Sequence, residues 1–314
     1  MKILIADGLD PAAVSTLRRV HEVDIKELDA NGLREAIPGY QALIVRSRTK
    51  VTKDVLARAA NLKVIGRAGV GVDNIDLDAA TARGIVVVNA PTASTVSVAE
   101  LAIGHMLSLY RQLPEADRSV KAGKWEKVRL EGRELFDKTL GLIGSGRIGA
   151  EVAKRAQAFG MRVVSFDPYL PAPVAETLGV RLVDMETLLR DADVVSIHAA
   201  LTAETKGLVG ASEFSKMKRD AVLVNCARGE IVEEAALADA LRSGTIAGAA
   251  IDVFEKEPPE GSPLLSAPNV HFTPHLGAST REGQVRAGAI VVEQVMKVLD
   301  GKRADFIANP RVLR

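Results

Sequence analysis

Leu140-Gly-Leu-Ile-Gly-Ser-Gly-Arg-Ile-Gly149 runs a short apolar stretch straight into the spacing G-x-G-x-x-G. The apolar stretch predicts a buried strand, and the glycines predict a tight turn into a helix over about 147–159. Eighteen residues beyond Gly149, a second apolar stretch, Arg162-Val-Val-Ser-Phe166, ends on Asp167. Strand, glycine turn, helix, strand and terminal acid together make one βαβ unit, which a chance glycine motif lacks. Gly144 permits the turn, Gly146 lets a pyrophosphate approach the backbone, and Gly149 lets the helix pack close to its sheet. The helix's first N–H groups, with Arg147 and Ile148 as backbone contacts, would face the phosphates. Asp167 would accept hydrogen bonds from both ribose hydroxyls and repel a 2′-phosphate, so the unit reads as a site for NAD rather than NADP. The plain alternative is a glycine turn with no ligand.

Around this unit the chain alternates short β-branched strands with helices. The first set of strands is Lys2–Ala6, Glu22–Ile25, Ala42–Val45, Lys63–Gly66 and Val86–Asn89, with helices near 11–19, 31–36, 53–60 and 77–83. The second set carries the glycine motif and continues with Asp193–His198, Ala221–Asn225, Ala247–Ile251 and Val270–Thr273. Apolar runs of this kind suit parallel strands buried on both faces, and the alternation predicts doubly wound α/β sheets. Two long helices, Thr95–Leu113 and Thr280–Leu299, are expected to bridge two domains, with Pro114 stopping the first. A strand at Asp305–Ile307 would return to the first sheet. The expected organisation is therefore two doubly wound parallel-sheet domains. A Rossmann-type NAD-binding domain (94–280) is inserted into a discontinuous, flavodoxin-like substrate-binding domain (1–93 and 281–314).

Composition narrows the function classes. The chain has 314 residues and a net charge of +1, with 41 basic and 40 acidic side chains, so charge suggests neither nucleic acid nor membrane as a partner. Its single cysteine excludes an internal disulfide framework and fits a reducing compartment. No stretch reaches the length of apolar chain that a membrane span needs, and the expectation is a cytoplasmic protein with no metal.

Three groups stand at strand ends in the second set. Arg228 follows Val222-Leu-Val-Asn-Cys-Ala227, Glu257 lies in the loop after Ile251-Asp-Val-Phe254, and His275 follows Val270-His-Phe-Thr-Pro274. In an open α/β sheet, ligands bind beyond the carboxyl ends of the strands, so an arginine, a carboxylate and a histidine there would converge on one site. Each has a plainer reading: a surface ion-pair partner, a solvated loop residue, a helix cap. His198, also at a strand end, has the same claim as His275. Cys226 reads as an inert small hydrophobe.

In these segments the chain resembles the D-isomer-specific 2-hydroxyacid dehydrogenases, over essentially its whole length. The resemblance is carried by Gly66-Arg-Ala-Gly-Val-Gly-Val-Asp-Asn74, the glycine motif, Asn225-Cys-Ala-Arg-Gly229, Ala249-Ala-Ile-Asp-Val-Phe-Glu255 and Thr273-Pro-His-Leu-Gly277. It implies hydride transfer from C2 of a 2-hydroxy acid to NAD, with His275 as general base. Glu257 would hold the other imidazole nitrogen, and Arg228 would clamp the substrate carboxylate. It further implies that Gly71 and Val72 offer N–H groups to that carboxylate, and that Asp252 bonds the nicotinamide carboxamide. The plainer reading of Asp252 is a strand-end Asx turn. Within the family the likeness, through Arg46-Ser-Arg-Thr-Lys-Val51, Arg67-Ala-Gly69 and His275-Leu-Gly-Ala-Ser-Thr280, is to members acting on 3-phosphoglycerate. Arg46, Arg67 and Lys127 would then neutralise its phosphate; Arg46 as a surface charge and Arg67 as an ion-pair partner are the alternatives. The region of Trp125 is implied to pack across a two-fold dimer interface. Many such members also carry a further domain that senses serine; none is visible in this sequence, and the expectation is no feedback by serine.

The chain departs from the family's usual His-x-Pro-Leu-Thr in reading His198-Ala-Ala-Leu-Thr202, which would loosen the loop over the adenine. Two other readings remain open. One is a glyoxylate or hydroxypyruvate reductase using the same triad. The other is a corepressor-like protein that senses NAD(H) and acts by binding partners.

Overall fold

A computed structural model describes residues 1–313. The chain divides into two compact units, one of Met1–Thr95 with the segment from Ala278 onward, the other of Val96–Gly277.

The first unit is built on β1 (Lys2–Ile5), α1 (Pro11–Arg18), β2 (Glu22–Ile25), α2 (Ala30–Ala36), β3 (Ala42–Val45), α3 (Lys53–Arg58), β4 (Val64–Arg67), α4 (Leu77–Ala82) and β5 (Val86–Asn89). All strand pairs are parallel, in the order β2-β1-β3-β4-β5, the flavodoxin-like arrangement. Alternate residues feed two cores. Ile3, Ile5, Ile44 and Val64 bury one face, while Leu4, Leu43, Val45 and Ile65 bury the other. Both faces being covered explains why these strands read as unbroken apolar runs.

The second unit takes over within the first turn of α5 (Thr95–Arg111) and continues with α6 (Leu113–Lys121), β6 (Thr139–Ile143), α7 (Arg147–Ala158), β7 (Arg162–Phe166), α8 (Ala172–Thr177), β8 (Arg181–Leu182), α9 (Met185–Asp191) and β9 (Val194–Ile197). It continues with α10 (Ala211–Lys216), β10 (Val222–Asn225), α11 (Glu234–Ser243), β11 (Gly248–Ile251) and β12 (Val270–Phe272). The parallel order β12-β11-β10-β9-β6-β7-β8 is the Rossmann order with one added edge strand. The chain reverses direction of winding at β6/β9, so the glycine turn after β6 opens onto the crevice where ligands bind in such sheets.

The long helix α12 (Arg281–Leu299) belongs to the first unit and packs on β4. Contact is close because position 66 has no side chain: a Cβ on Gly66 would fall 2.6 Å from Val295 Cγ2 and 2.7 Å from Val291 Cγ2.

Two local expectations are corrected, and one short strand was not foreseen. Pro114 does not stop the first long helix. Gln112, at φ 49°, breaks it one residue after Arg111, and Pro114 lies in the first turn of α6, where a missing N–H costs nothing. The strand expected at Asp305–Ile307 is a single antiparallel bridge, Val88 with Ile307. It goes no further because the buried Gln294 side chain takes the Asp305 N–H (2.6 Å). The two-residue edge strand β8 carries too short an apolar pattern to be read from sequence.

Gly66→Ala is expected to destabilise the first unit by about 1–3 kcal/mol through overpacking against α12. Urea unfolding followed with separate probes in each unit would check this; an unshifted first-unit transition would show that α12 gives way freely.

Candidate active site

In the second unit the glycine turn forms as the spacing requires. Gly144 has φ +90°, and a Cβ there would fall 2.9 Å from the Ala199 nitrogen; a Cβ on Gly149 would fall 2.4 Å from the Gly144 carbonyl oxygen. Gly146 precedes α7 with nothing within 4 Å of its absent side chain, and no side chain caps the helix. The first-turn N–H groups, including those of Arg147 and Ile148, therefore lack the usual capping partner and suit a phosphate. Asp167 is oriented toward this turn, accepting from Ser145 N (2.8 Å) and Tyr169 N (3.0 Å). These residues fit a dinucleotide: an uncapped helix start, an open glycine, and a fixed carboxylate at the next strand's end.

The loop over this site, where the family's proline is missing, is closed by hydroxyls. Thr205 Oγ1 donates to the Ala200 carbonyl (2.7 Å) and accepts the Thr202 N–H (2.8 Å). His198 does not share the role of His275. Its Nε2 pairs with Ser196 Oγ at 2.9 Å, its Nδ1 is buried without a partner, and burial pushes its pKa down to about 4. It is a neutral side chain packed beneath the glycine turn.

Arg228, Glu257 and His275 follow β10, β11 and β12, three adjacent parallel strands, and so leave the sheet at the same edge. The turn bearing Arg228 is closed by the buried Asn225, whose Oδ1 accepts Ala227 N (3.0 Å) while its Nδ2 donates to the Arg228 carbonyl (2.9 Å). His275 Nδ1 lies 2.8 Å from Glu257 Oε2 and 3.0 Å from Oε1. Glu257 Oε1 also accepts the Phe254 N–H at 3.2 Å. The hydrogen bond to Glu257 raises the pKa of His275 against the opposing effect of burial; the charges of Glu257 and Asp252 add to the rise and Arg228 opposes it. Burial alone would raise the Glu257 carboxyl, but the hydrogen bond and charge of His275, the Phe254 N–H and Arg228 hold it below its ordinary value.

Asp252, expected to meet the nicotinamide carboxamide, also organises the loop that carries His275. It has no exposed surface, and its carboxylate is committed to the loop that carries His275. Oδ1 accepts from Thr273 Oγ1 (2.5 Å) and Leu276 N (2.7 Å), Oδ2 from Gly277 N (2.9 Å), while the Asp252 carbonyl accepts His275 N (2.8 Å). Behind it, His105 Nε2 meets Thr273 Oγ1 at 3.2 Å. Since the threonine proton goes to Asp252, His105 is the donor, and burial keeps its ring neutral by lowering its pKa. His105 was not singled out in the sequence, although it lies seven residues after Val98 on the apolar face of α5.

In the first unit, Arg46 and Arg67 stand at the carboxyl ends of the neighbouring strands β3 and β4, where Val45 pairs with Arg67. The buried Asp7 carboxylate fixes the turn at Arg46, accepting from Arg46 N (2.6 Å), Thr49 Oγ1 (2.8 Å) and Arg48 Nε (3.0 Å). Asn74 Nδ2 donates to the carbonyls of Arg46 and Thr49, both at 2.7 Å, tying that turn to the Gly71–Val72 loop. A Cβ on Gly69 would fall 1.5 Å from the Arg67 guanidinium. Gly71 and Val72 are half-buried, and Lys127, in the second unit, is exposed.

Residues 103–277 match the NAD binding domain of the D-isomer specific 2-hydroxyacid dehydrogenases. The chain belongs to that family. A D-3-phosphoglycerate dehydrogenase of Methanocaldococcus jannaschii is 51% identical over 311 residues, covering 98% of this chain; the chain spans 59% of that relative's length. A solved structure of a Thermus thermophilus protein superposes with a TM-score of 0.90 at 39% identity, covering 98% of this chain and all of that one. A glyoxylate reductase from Paecilomyes thermophila gives 0.90 at 29% identity over 99% of both chains.

The His275–Glu257 pair also makes a pH statement. Its stabilisation is present in full between the ordinary values of the two groups, 4.5 and 6.5. It is lost as pH falls through the lowered pKa of Glu257 and as pH rises through the raised pKa of His275. Glu257→Gln is expected to bring the His275 titration midpoint, read by proton NMR, down toward 6.5; an unmoved midpoint would show that the pair does not set it.

Proposed function

We propose that this chain is an NAD-dependent dehydrogenase that oxidises D-3-phosphoglycerate to 3-phosphohydroxypyruvate, the entry step to serine. The observation that carries this reading is the His275–Glu257 pair at 2.8 Å, one strand away from Arg228 and on the sheet whose glycine turn suits a dinucleotide. The 51% identity with a D-3-phosphoglycerate dehydrogenase supports the choice of substrate.

Gly144, Gly146, Gly149 and the N–H groups of Arg147 and Ile148 would hold the pyrophosphate of NAD, and Asp167 its ribose. When bound, NAD supplies the acceptor for the hydride that leaves C2. Arg228 presents a planar fork to the substrate carboxylate and sets C2 and its hydroxyl beside the imidazole. Because Nδ1 is held by Glu257, the lone pair of neutral His275 is on Nε2, which takes the hydroxyl proton as the carbonyl forms. Glu257 then faces the imidazolium across the same hydrogen bond and stabilises it. Arg46 and Arg67, with Lys127, would supply the positive charge for the phosphate, and Gly71 and Val72 offer N–H groups to the carboxylate. Asp252 holds the His275 loop and would bond the nicotinamide carboxamide.

The chain acts as a homodimer in this reading. Leu113, Val120, Trp125, Val128 and Phe136 cluster within one segment and are 52–88% exposed, with Trp125 at 84%. Large apolar side chains left exposed along one segment support an association surface there. Among the described residues no helix is long and apolar enough to cross a membrane. The lone thiol, Cys226, is buried, which raises its pKa and suits a reducing cytoplasm.

NADH formation at alkaline pH should be strong with D-3-phosphoglycerate and weak with D-glycerate and D-lactate. His275→Ala should cost about 10²–10⁴ in turnover with NADH affinity unchanged. Arg46→Ala should raise KM for the phosphorylated acid about tenfold or more, the loss of one charge-assisted hydrogen bond, and leave D-glycerate unaffected. Equal rates with all three acids would remove the phosphate assignment, and turnover with none would favour a binding protein that senses NAD(H). Trp125→Ala with Val128→Asp should yield a monomer in sedimentation; a persisting dimer would place the interface elsewhere.

A further inference from the structure

Glu234 stands at the start of α11 but is only 8% exposed, an unusual place for a carboxylate unless it is satisfied. Its Oε1 accepts the Glu255 N–H at 2.9 Å, and its Oε2 accepts the Ser262 hydroxyl. Its own N–H faces Glu255 Oε1 at 3.5 Å. Glu255 and Ser262 are the two ends of the loop on which Glu257 rides. One carboxylate therefore spans the mouth of that loop. The root of the same loop also rests on the turn that carries Arg228: a Cβ on Gly229 would fall 1.9 Å from the Phe254 carbonyl carbon and 2.4 Å from Glu255 N.

We propose that Glu234 is a positioning residue for the acid–base pair: by holding both ends of the 255–262 loop, it keeps Glu257 against His275 Nδ1. The inference rests on His275 being the base. Glu234 touches neither Glu257 nor His275 and acts through the backbone between them. Without the clasp the loop has one fewer anchor at each end, and Glu257 leaves its 2.8 Å contact for part of the time. The groups facing His275 are Glu257, Asp252 and Arg228. Of these, Asp252 is held independently by the 273–277 loop, so the clasp controls the Glu257 contribution alone. A weaker hold lowers the pKa of His275, and the rising limb of the oxidation rate against pH then moves to lower pH while its plateau falls.

The test is the pH profile of kcat with D-3-phosphoglycerate for Glu234→Ala, Glu234→Asp and Glu234→Gln, with NADH affinity by fluorescence and thermal stability measured on the same samples. Glu234→Ala should lower the plateau about tenfold and shift the limb acidward, in the same direction as Glu257→Gln, with NADH affinity within about twofold of the parent. Glu234→Asp, whose shorter arm cannot reach both loop ends, should do the same to a smaller degree and decides the matter if the alanine variant does not fold. Glu234→Gln can still accept from Glu255 and donate to Ser262, and should restore the parent profile. A limb that stays in place in the alanine and aspartate variants, or an equal loss of NADH binding, would overturn the proposal and leave Glu234 a structural residue. If His275→Ala itself retains full turnover, the acid–base reading and this proposal fall together; if only His275→Ala and Glu257→Gln lose activity, the positioning proposal alone falls.

Discussion

The buried carboxylate of Asp252 is the interaction on which the geometry of the site depends. It takes two backbone N–H groups and one hydroxyl from residues 273–277, and its carbonyl takes the His275 N–H. His275 is thereby held at φ 53°, a conformation that side chains with a Cβ enter only at a cost of about 1–3 kcal/mol when the surroundings insist on it. Four hydrogen bonds from one fully buried residue supply that insistence. The reward is direction: a histidine turned this way aims Nδ1 at Glu257 and leaves Nε2 for chemistry.

The same device recurs at other strand ends. Asn225 closes the Arg228 turn, Glu234 clasps the Glu257 loop, and Asp7 with Asn74 fixes the Arg46 turn. In each case a polar side chain, buried at Asn225, Glu234 and Asp7 and half-buried at Asn74, satisfies loop N–H or C=O groups that have left the sheet ladder and would otherwise be orphaned. Parallel sheets covered on both faces make this necessary, because the loops leave from an apolar floor. It also gives precision, since a loop with its backbone bonded from beneath has few alternative shapes.

The placement of the glycine motif and Asp167 was legible in the sequence because it follows from having no side chain, or one acid, at fixed spacing along a single βαβ unit. Arg228, Glu257 and His275 were legible as strand-end residues in order, and their adjacency follows from β10, β11 and β12 lying side by side. What was not legible depends on contacts between distant positions. Asp7 acts on residues 39 to 42 positions away, and His105 on Thr273, 168 positions away. Glu234 reads as an ordinary acid in the first turn of a helix, and only the fold shows that it points inward. At Asp252 the strand-end position was legible, but the hydrogen bonds that its oxygens make to the 273–277 loop were not. Pro114 was misread because proline closes one helix and opens the next with equal ease.

The antiparallel bridge between Val88 and Ile307, reinforced by Asn309, whose side chain bonds Val87 N and the Ile85 carbonyl, has a consequence for the order of biosynthesis. β5 is the outer strand of the first sheet, and part of its exposed edge is covered only by residues made more than two hundred positions later. The same is true of the face of β4 that α12 covers. As the chain leaves the ribosome, the first ninety-odd residues emerge with an open edge and an uncovered apolar face, whereas Val96–Gly277 is a continuous stretch that holds everything it needs. The nucleotide-binding unit can therefore close while the earlier-made sheet is still waiting for its last helix.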